Sequence, residues 1–350
     1  ILGLILSLLG IFASPSLLIM MKTPKVVLKS SILYLQIYCG GLIFNVIYNM
    51  ATGILNAAGN SKKPLVYLAI ASFTNIILDL LFIKIFNLGV MGAAIATDIS
   101  QAISCILAIG YLLKVKSDYK LYIKDLKINK ETAVKIIKIG LPTAIQNMVI
   151  SFSNVLVQSS VNAYGATAMA GYAAYLKIDG FNILPVLSIS MAVTTFTGQN
   201  VGANRLDRVK KGMYSSLIMV LVYTVFIGAV LLIFSHQVLG LFTHSAQVIM
   251  YGQLAMKYFC PYYFLLGILN VLAGTVRGAG KGIPPMIILL FSMCIFRILW
   301  IKIALPFYSS IDGVFILYPI SWLVGAILMI FYTKFGKWLP HKQMEKKENS

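Results

Sequence analysis

The chain alternates between long apolar stretches and short polar ones. Ten windows carry almost no charge: roughly 1–20, 33–57, 65–86, 89–113, 139–163, 168–197, 212–235, 251–276, 284–305 and 312–334. About 20 residues of helix cross the ~30 Å hydrocarbon layer of a bilayer, so each window predicts a membrane-spanning helix. Barrel strands are excluded, because they alternate apolar with polar residues over segments of about ten. The expected fold class is an all-α integral membrane protein with ten helices in this chain.

Composition agrees. Of 350 residues, 59% are apolar and 11% charged, and the mean hydropathy is +0.88. A soluble domain carries roughly 25% charged residues, so this chain has too few to coat a water-facing core. The net charge of +19 changes the picture only through its placement. Taking the loops alternately, twenty-one Lys and Arg fall in one set (Lys62 and Lys63, eight Lys over 114–138, Arg205 to Lys211, Arg277 and Lys281, and the C-terminal tail). Five fall in the other (Lys22, Lys25, Lys29, Lys84, Lys302). This bias predicts a cytoplasmic side for the first set and a cytoplasmic C-terminus. It marks orientation and contact with anionic lipid rather than nucleic-acid binding. Cys39, Cys105, Cys260 and Cys294 lie inside spans without metal-like or paired spacing and read as buried small residues.

The chain repeats itself. NMATGILNAAGNSKKP (49–64) aligns with NVLAGTVRGAGKGIPP (270–285) at an offset of 221, which matches Gly59 with Gly280 and Pro64 with Pro285. An offset of 224 matches the GV at 89–90 with the GV at 313–314. Two halves share one plan. The second half has two further helices, 139–163 and 168–197, without counterparts in the first. The repeat therefore predicts an intact protein of about 440 residues and twelve helices, six per half, in parallel repeats. The expected organisation is an incomplete N-terminal bundle of four helices at 1–113, a cytoplasmic connector at 114–138, a six-helix bundle at 139–335 and a basic cytoplasmic tail at 336–350. Ile1 already lies in an apolar span, and no initiator Met or signal sequence is seen.

One acid stands in the middle of an apolar window, at Asp79 in SFTNIILDLLFI (72–83). A carboxylate there costs several kcal/mol and persists with a partner or a purpose. Ser72, Asn75 and Asp79 share one helix face, and the next helix presents Thr97, Gln101 and Ser104 at matching depth. A carboxylate, an amide carbonyl and a hydroxyl are hard oxygen ligands that suit Na⁺, or a proton on a desolvated carboxyl. Asp98, a second acid in a span, lies about 100° around the helix from Thr97 and is a further candidate for coupling.

The segments GILNAAGNSKKPL (53–65), NIILD (75–79), GVMGAAIATDISQ (89–101), IGLPTAIQN (139–147) and TGQNVGANRLDRVKKG (197–212) resemble the multidrug and toxic compound extrusion transporters. The resemblance implies two homologous six-helix bundles in a V around a cavity. It also implies antiport of Na⁺ or H⁺ against organic, often cationic, compounds by alternating access. The two helices absent from this chain would be the family's first two. The resemblance carries a cation site onto Asn75, Asp79 and Thr97, whose other Asp belongs to the family's first helix. Some members use acids on the seventh and tenth helices instead. The corresponding spans here, 139–163 and 251–276, hold none, which favours coupling in the first half.

Two polar faces are candidates for a substrate cavity. Asn147, Ser151, Asn154, Gln158 and Asn162 fall within about 80° on one helix. Tyr34, Tyr38, Gly41, Asn45, Tyr48, Thr52 and Asn56 share a face of another. Polar residues rarely face lipid, so these line a cavity or join helices. An aromatic and amide surface suits varied amphipathic compounds. In the second half, Lys177, Asp179 and Arg297 lie within spans, and Asp179 is expected to pair with Lys177 or Arg297. Pro142 is expected at a helix start, and Pro185 and Pro261 as kinks.

The expected protein is a plasma-membrane, multi-pass, monomeric exporter of small organic compounds. It needs no cofactor beyond Na⁺ or H⁺, binds no nucleic acid and is not an enzyme. HExxH, GxGD, a buried His and a phosphate-binding loop are all missing. The alternative is a lipid-linked oligosaccharide flippase of the same superfamily, for which Lys177 and Arg297 would be the cationic residues.

Overall fold

The computed structural model describes residues 2–20 and 23–339. Within them lie ten helices long and apolar enough to span a membrane: α1 (Leu2–Met20), α2 (Lys25–Ala57), α3 (Lys62–Ile85), α4 (Gly89–Lys114), α5 (Lys130–Asn162), α6 (Ala166–Gly202), α7 (Leu206–Ile233), α8 (Ala246–Gly278), α9 (Ile283–Phe307) and α10 (Asp312–Phe335). Among the described residues the regular secondary structure is helical throughout. Lipid offers no hydrogen-bond partner to the backbone, and a helix satisfies each N–H and C=O within its own segment. The protein is an all-α, multi-pass membrane protein.

The chain divides into two compact units, residues 1–127 and 128–350. In the first, α2 packs against both α1 and α4, and α3 packs against α4. A small core of Ala51, Leu55, Tyr67, Ala108 and Leu112 joins α2, α3 and α4. In the second unit α8 is the most enclosed span. It contacts α6, α7 and α10, while α5 lies along α9. The α6–α8 crossing is close because small residues permit it. Gly274 and Gly278 of α8 meet Ser190, Thr194 and Thr197 of α6. Ser190 Oγ donates to the Asn270 carbonyl at 2.7 Å and Thr194 Oγ1 to the Gly274 carbonyl at 3.0 Å.

The repeat is visible in the backbone. Gly59 has φ +80° and Gly280 has φ +83°, a left-handed conformation that glycine adopts without strain. Each ends a helix with the same hydrogen bonds. Asn60 N–H donates to Leu55 O at 2.8 Å, and Lys281 N–H to Val276 O at 3.2 Å.

Several boundaries differ from the sequence reading, among them the start of α2 at Lys25 rather than near 33 and the start of α5. Helix α5 begins at Lys130, where the Asn129 side chain accepts the Thr132 N–H at 3.1 Å. The charged end of the expected connector is thus helical, and Pro142 is internal rather than at a helix start. An N-cap and helix-tolerant lysines extend the helix past its apolar part. Pro261 breaks α8 with a tight turn at Cys260–Tyr262, as its missing N–H requires. Pro185 lies within an uninterrupted α6. The four cysteines are free and buried. Of the basic tail, the part beyond Leu339 lies outside the described residues.

Candidate functional site

The first unit gathers unsatisfied polar atoms on neighbouring helices. Asn75 Nδ2 and Asp79 Oδ1 on α3, Asp98 Oδ1 and Gln101 Oε1 on α4, and Thr52 Oγ1 on α2 are buried. None has a hydrogen-bond partner among the described residues. A buried polar atom normally finds one, and leaving it without a partner costs about 1–3 kcal/mol. On the packed helices α3 and α4, Asp79 Oδ1 and Gln101 Oε1 are acceptors of the kind that a cation or proton satisfies, while Asn75 Nδ2 is a donor. Thr97 Oγ1 donates to the Ala93 carbonyl at 2.9 Å, which leaves its lone pairs free to accept or ligate. Asp98 points elsewhere: its carboxylate lies against Gly41 of α2, where a β-carbon would collide with it. The structure thus brings α3 against α4 and places Asp98 on the α2 side.

The tyrosine face of α2 is only partly open. Tyr34 and Tyr38 stack, with centroids 6.2 Å apart and planes 7° from parallel. Asn45 Oδ1 accepts from Asn49 Nδ2 at 2.8 Å. The Tyr48 hydroxyl donates to the Pro64 carbonyl at 2.9 Å, and its ring packs on the small core, which fits the helix-joining alternative for this face.

The second unit contains a cavity of about 370 Å³ walled by Asn154, Gln158, Tyr172, Tyr175, Asp179, Phe259, Tyr318 and Trp322, with Val155 and Leu176. Asn154 and Gln158 are on its wall. Asn147 and Ser151 of the same face do not line it. Sequence reasoning missed the aromatic wall. Its signal was Tyr172, Tyr175, Asp179 and Asn182 at i, i+3, i+7, i+10 on α6, a helical face. Tyr175 and Phe259 have centroids 4.8 Å apart, and Phe259 and Tyr318 4.9 Å.

The expected ion pair among Lys177, Asp179 and Arg297 does not form. Asp179 Oδ1 accepts the Tyr263 hydroxyl at 2.8 Å, and Tyr263 also bonds Tyr175 at 2.9 Å. Lys177 is exposed and lies 5.6 Å from the Phe242 ring centroid. Arg297 Nε donates to Ser321 Oγ at 3.1 Å, and Nη1 to Asn154 Oδ1 at 3.0 Å. Among the described residues the ion pair found is Arg205–Asp207, at 3.6 Å on the surface. The physical reason is supply: hydroxyls and amides already reach both buried charges, so neither needs the other. A double-mutant cycle is expected to show it. Tyr263→Phe and Asp179→Asn should couple by about 1.5–3 kcal/mol, the range for a hydrogen bond to a charged group. Lys177→Met and Asp179→Asn should add independently. Thermal unfolding of the purified variants measures both.

The fold and sequence have relatives. The MatE family model matches residues 1–81 and 142–301. The probable multidrug resistance protein YpnP of Bacillus subtilis is 29% identical over 338 residues, covering 97% of this chain and 75% of that protein. YoeA of the same organism, also named a probable multidrug resistance protein, is 30% identical over 351 residues, covering 95% and 74%. Among solved structures, an outward-facing multidrug resistance MATE family transporter of the MOP superfamily superposes with a TM-score of 0.89 at 22% identity, covering 95% of this chain and 75% of that one. A MOP superfamily transporter from Pyrococcus furiosus gives 0.87 at 23%. The chain thus spans about three-quarters of the relatives it matches. The structural likenesses carry the fold, the family model and YoeA carry the lineage, and together they make this chain a membrane transporter of the MatE family.

Proposed function

We propose that the protein exports small organic compounds, often cationic, in exchange for Na⁺ or H⁺ by alternating access. Asn75, Asp79 and Thr97 would hold the coupling ion. The observation that carries the coupling is that the packed helices α3 and α4 hold buried, unsatisfied polar atoms, with Asp79 Oδ1 among them. A carboxylate without a protein cation is stabilised by a bound ion or proton. Its affinity for that ion differs between conformations, which lets an ion gradient drive transport. The names of the relatives YpnP and YoeA support multidrug compounds as cargo. The aromatic cavity of the second unit, together with Tyr34 and Tyr38, supports amphipathic cargo that stacks on rings. Asp98, held against Gly41, would adjust the α2–α4 contact when it gains or loses a proton. The test of this reading is ethidium efflux from drug-sensitive bacterial cells that express the full-length gene product. Active export supports it. Absence of export for a panel of cationic dyes, at verified membrane abundance, overturns the multidrug reading.

The same reading places the protein in the plasma membrane as a monomer in contact with anionic lipid, with its C-terminus in the cytoplasm. Cysteines introduced at Lys116 and at Lys337 in a background with the native cysteines replaced are expected to react with a membrane-impermeant maleimide only after the cells are opened. Labelling of intact cells would reverse the orientation.

A further inference from the structure

The repeat allows the two units to be compared place by place. Helix α9 is the counterpart of α3, and α10 that of α4. From Gly59 and Gly280 the offset is 221. Helix α9 then contains a wide turn, Phe291–Ile295, closed by i→i+5 bonds, while α3 stays α-helical through Leu80. A wide turn takes up one extra residue. Past it the counterpart of Arg297 is therefore Asn75, one step beyond the 221 register. On the next helix the GV match gives Ser321 as the counterpart of Thr97.

The two places are filled differently. In the first unit, Asn75 Nδ2 and Asp79 Oδ1 are buried and unsatisfied. In the second, Arg297 reaches Ser321 Oγ at 3.1 Å, Asn154 Oδ1 at 3.0 Å and Met293 Sδ at 3.4 Å, and its Cζ lies 4.4 Å from the Tyr318 ring centroid. The residue is 2% exposed. No carboxylate pairs with it among the described residues. A hydroxyl oxygen, an amide oxygen, a thioether and an aromatic face together are ligands for a cation, and here they surround one that is covalently tethered.

We propose that Arg297 is a resident cation. Its guanidinium occupies, in the second unit, the place where the first unit offers Asn75, Asp79 and Thr97 to a mobile ion. The second unit then contains a cation site of its own, selective for planar guanidinium-type ions and filled by the chain itself. The consequence that ion coupling is confined to the first unit rests on the proposed role of Asp79. The existence of the site in the second unit does not.

Removing the tether tests it. The full-length protein with Arg297→Ala is purified in detergent, and its Tm is measured with millimolar guanidinium chloride, NaCl or choline chloride at equal ionic strength. A fall in Tm of roughly 5 °C or more is expected, restored saturably by guanidinium but not by choline. The wild type should be indifferent to all three salts. Adding Ser321→Ala to the variant should abolish the restoration. Failure of guanidinium to restore stability, or equal restoration by choline, overturns the proposal and leaves the Asp79 reading to its own test. If Arg297→Ala cannot be recovered from membranes, Arg297→Lys is combined with Ser321→Ala. Non-additive losses in Tm support the site, and additive losses overturn it.

Discussion

Asp79→Asn is expected to lower the initial rate of dye export by roughly tenfold or more, the factor set by about 1.4 kcal/mol of lost ion affinity, at unchanged membrane abundance. The amide is nearly isosteric with the carboxylate but carries no charge, so it neither attracts a cation nor cycles a proton. Its burial in α3 costs less than that of the acid, so the variant should fold and insert at least as well. Asp79→Glu keeps the charge on a longer stem and should retain part of the rate. Asn75→Ala removes a neighbouring ligand one helical turn away and should weaken export less than Asp79→Asn does. Efflux of ethidium from preloaded cells, normalised to immunodetected protein, separates these outcomes. Wild-type rates from Asp79→Asn would make the acid a structural residue.

Gly274→Val is expected to be strongly destabilising, costing about 3 kcal/mol. A β-carbon on Gly274 would lie 2.7 Å from both the Ser190 carbonyl oxygen and its hydroxyl, and 2.9 Å from Thr194 Oγ1. The first is a backbone atom, and the other two are hydroxyls held by hydrogen bonds to backbone carbonyls, so none moves aside easily. The helices must separate, which lengthens the Ser190–Asn270 and Thr194–Gly274 hydrogen bonds across the crossing. In lipid those groups have no water to turn to. Gly274→Ala should show a smaller loss of the same sign. Melting of the detergent-purified variants, followed by a thiol-reactive dye that reads exposure of the buried cysteines, measures both. A Val variant as stable as wild type would mean that the crossing is not tightly packed.

The spans were legible because the bilayer imposes one length on them. All ten apolar windows correspond to helices, and the α5 start at Lys130 was missed because its first turns are charged rather than apolar. The turn glycines were legible too. Gly59 and Gly280 stand out as a repeated pair, and both have positive φ. The wide turn at Phe291–Ile295 was not legible, since nothing in FSMCI distinguishes it from ordinary helix. That one-residue shift decides which residue stands opposite Ser321. The ion pair misled for a related reason. Sequence shows the charges of Asp179 and Arg297 but not the Tyr263 and Ser321 hydroxyls that reach them through the fold. For Asp79, sequence supplied the candidate. The structure adds that Asn75 on the same helix and Gln101 on the packed α4 also hold buried polar atoms without partners.

The central claim is that an ion gradient drives transport through Asp79. Its most direct test is dye movement in proteoliposomes that hold the full-length protein, with an imposed Na⁺ gradient, an imposed pH gradient, or neither. The account predicts uphill dye movement with one of the two gradients, none without a gradient, and movement slowed by roughly tenfold or more in Asp79→Asn. Dye movement that ignores both gradients, or uphill movement at the wild-type rate in Asp79→Asn, would contradict it.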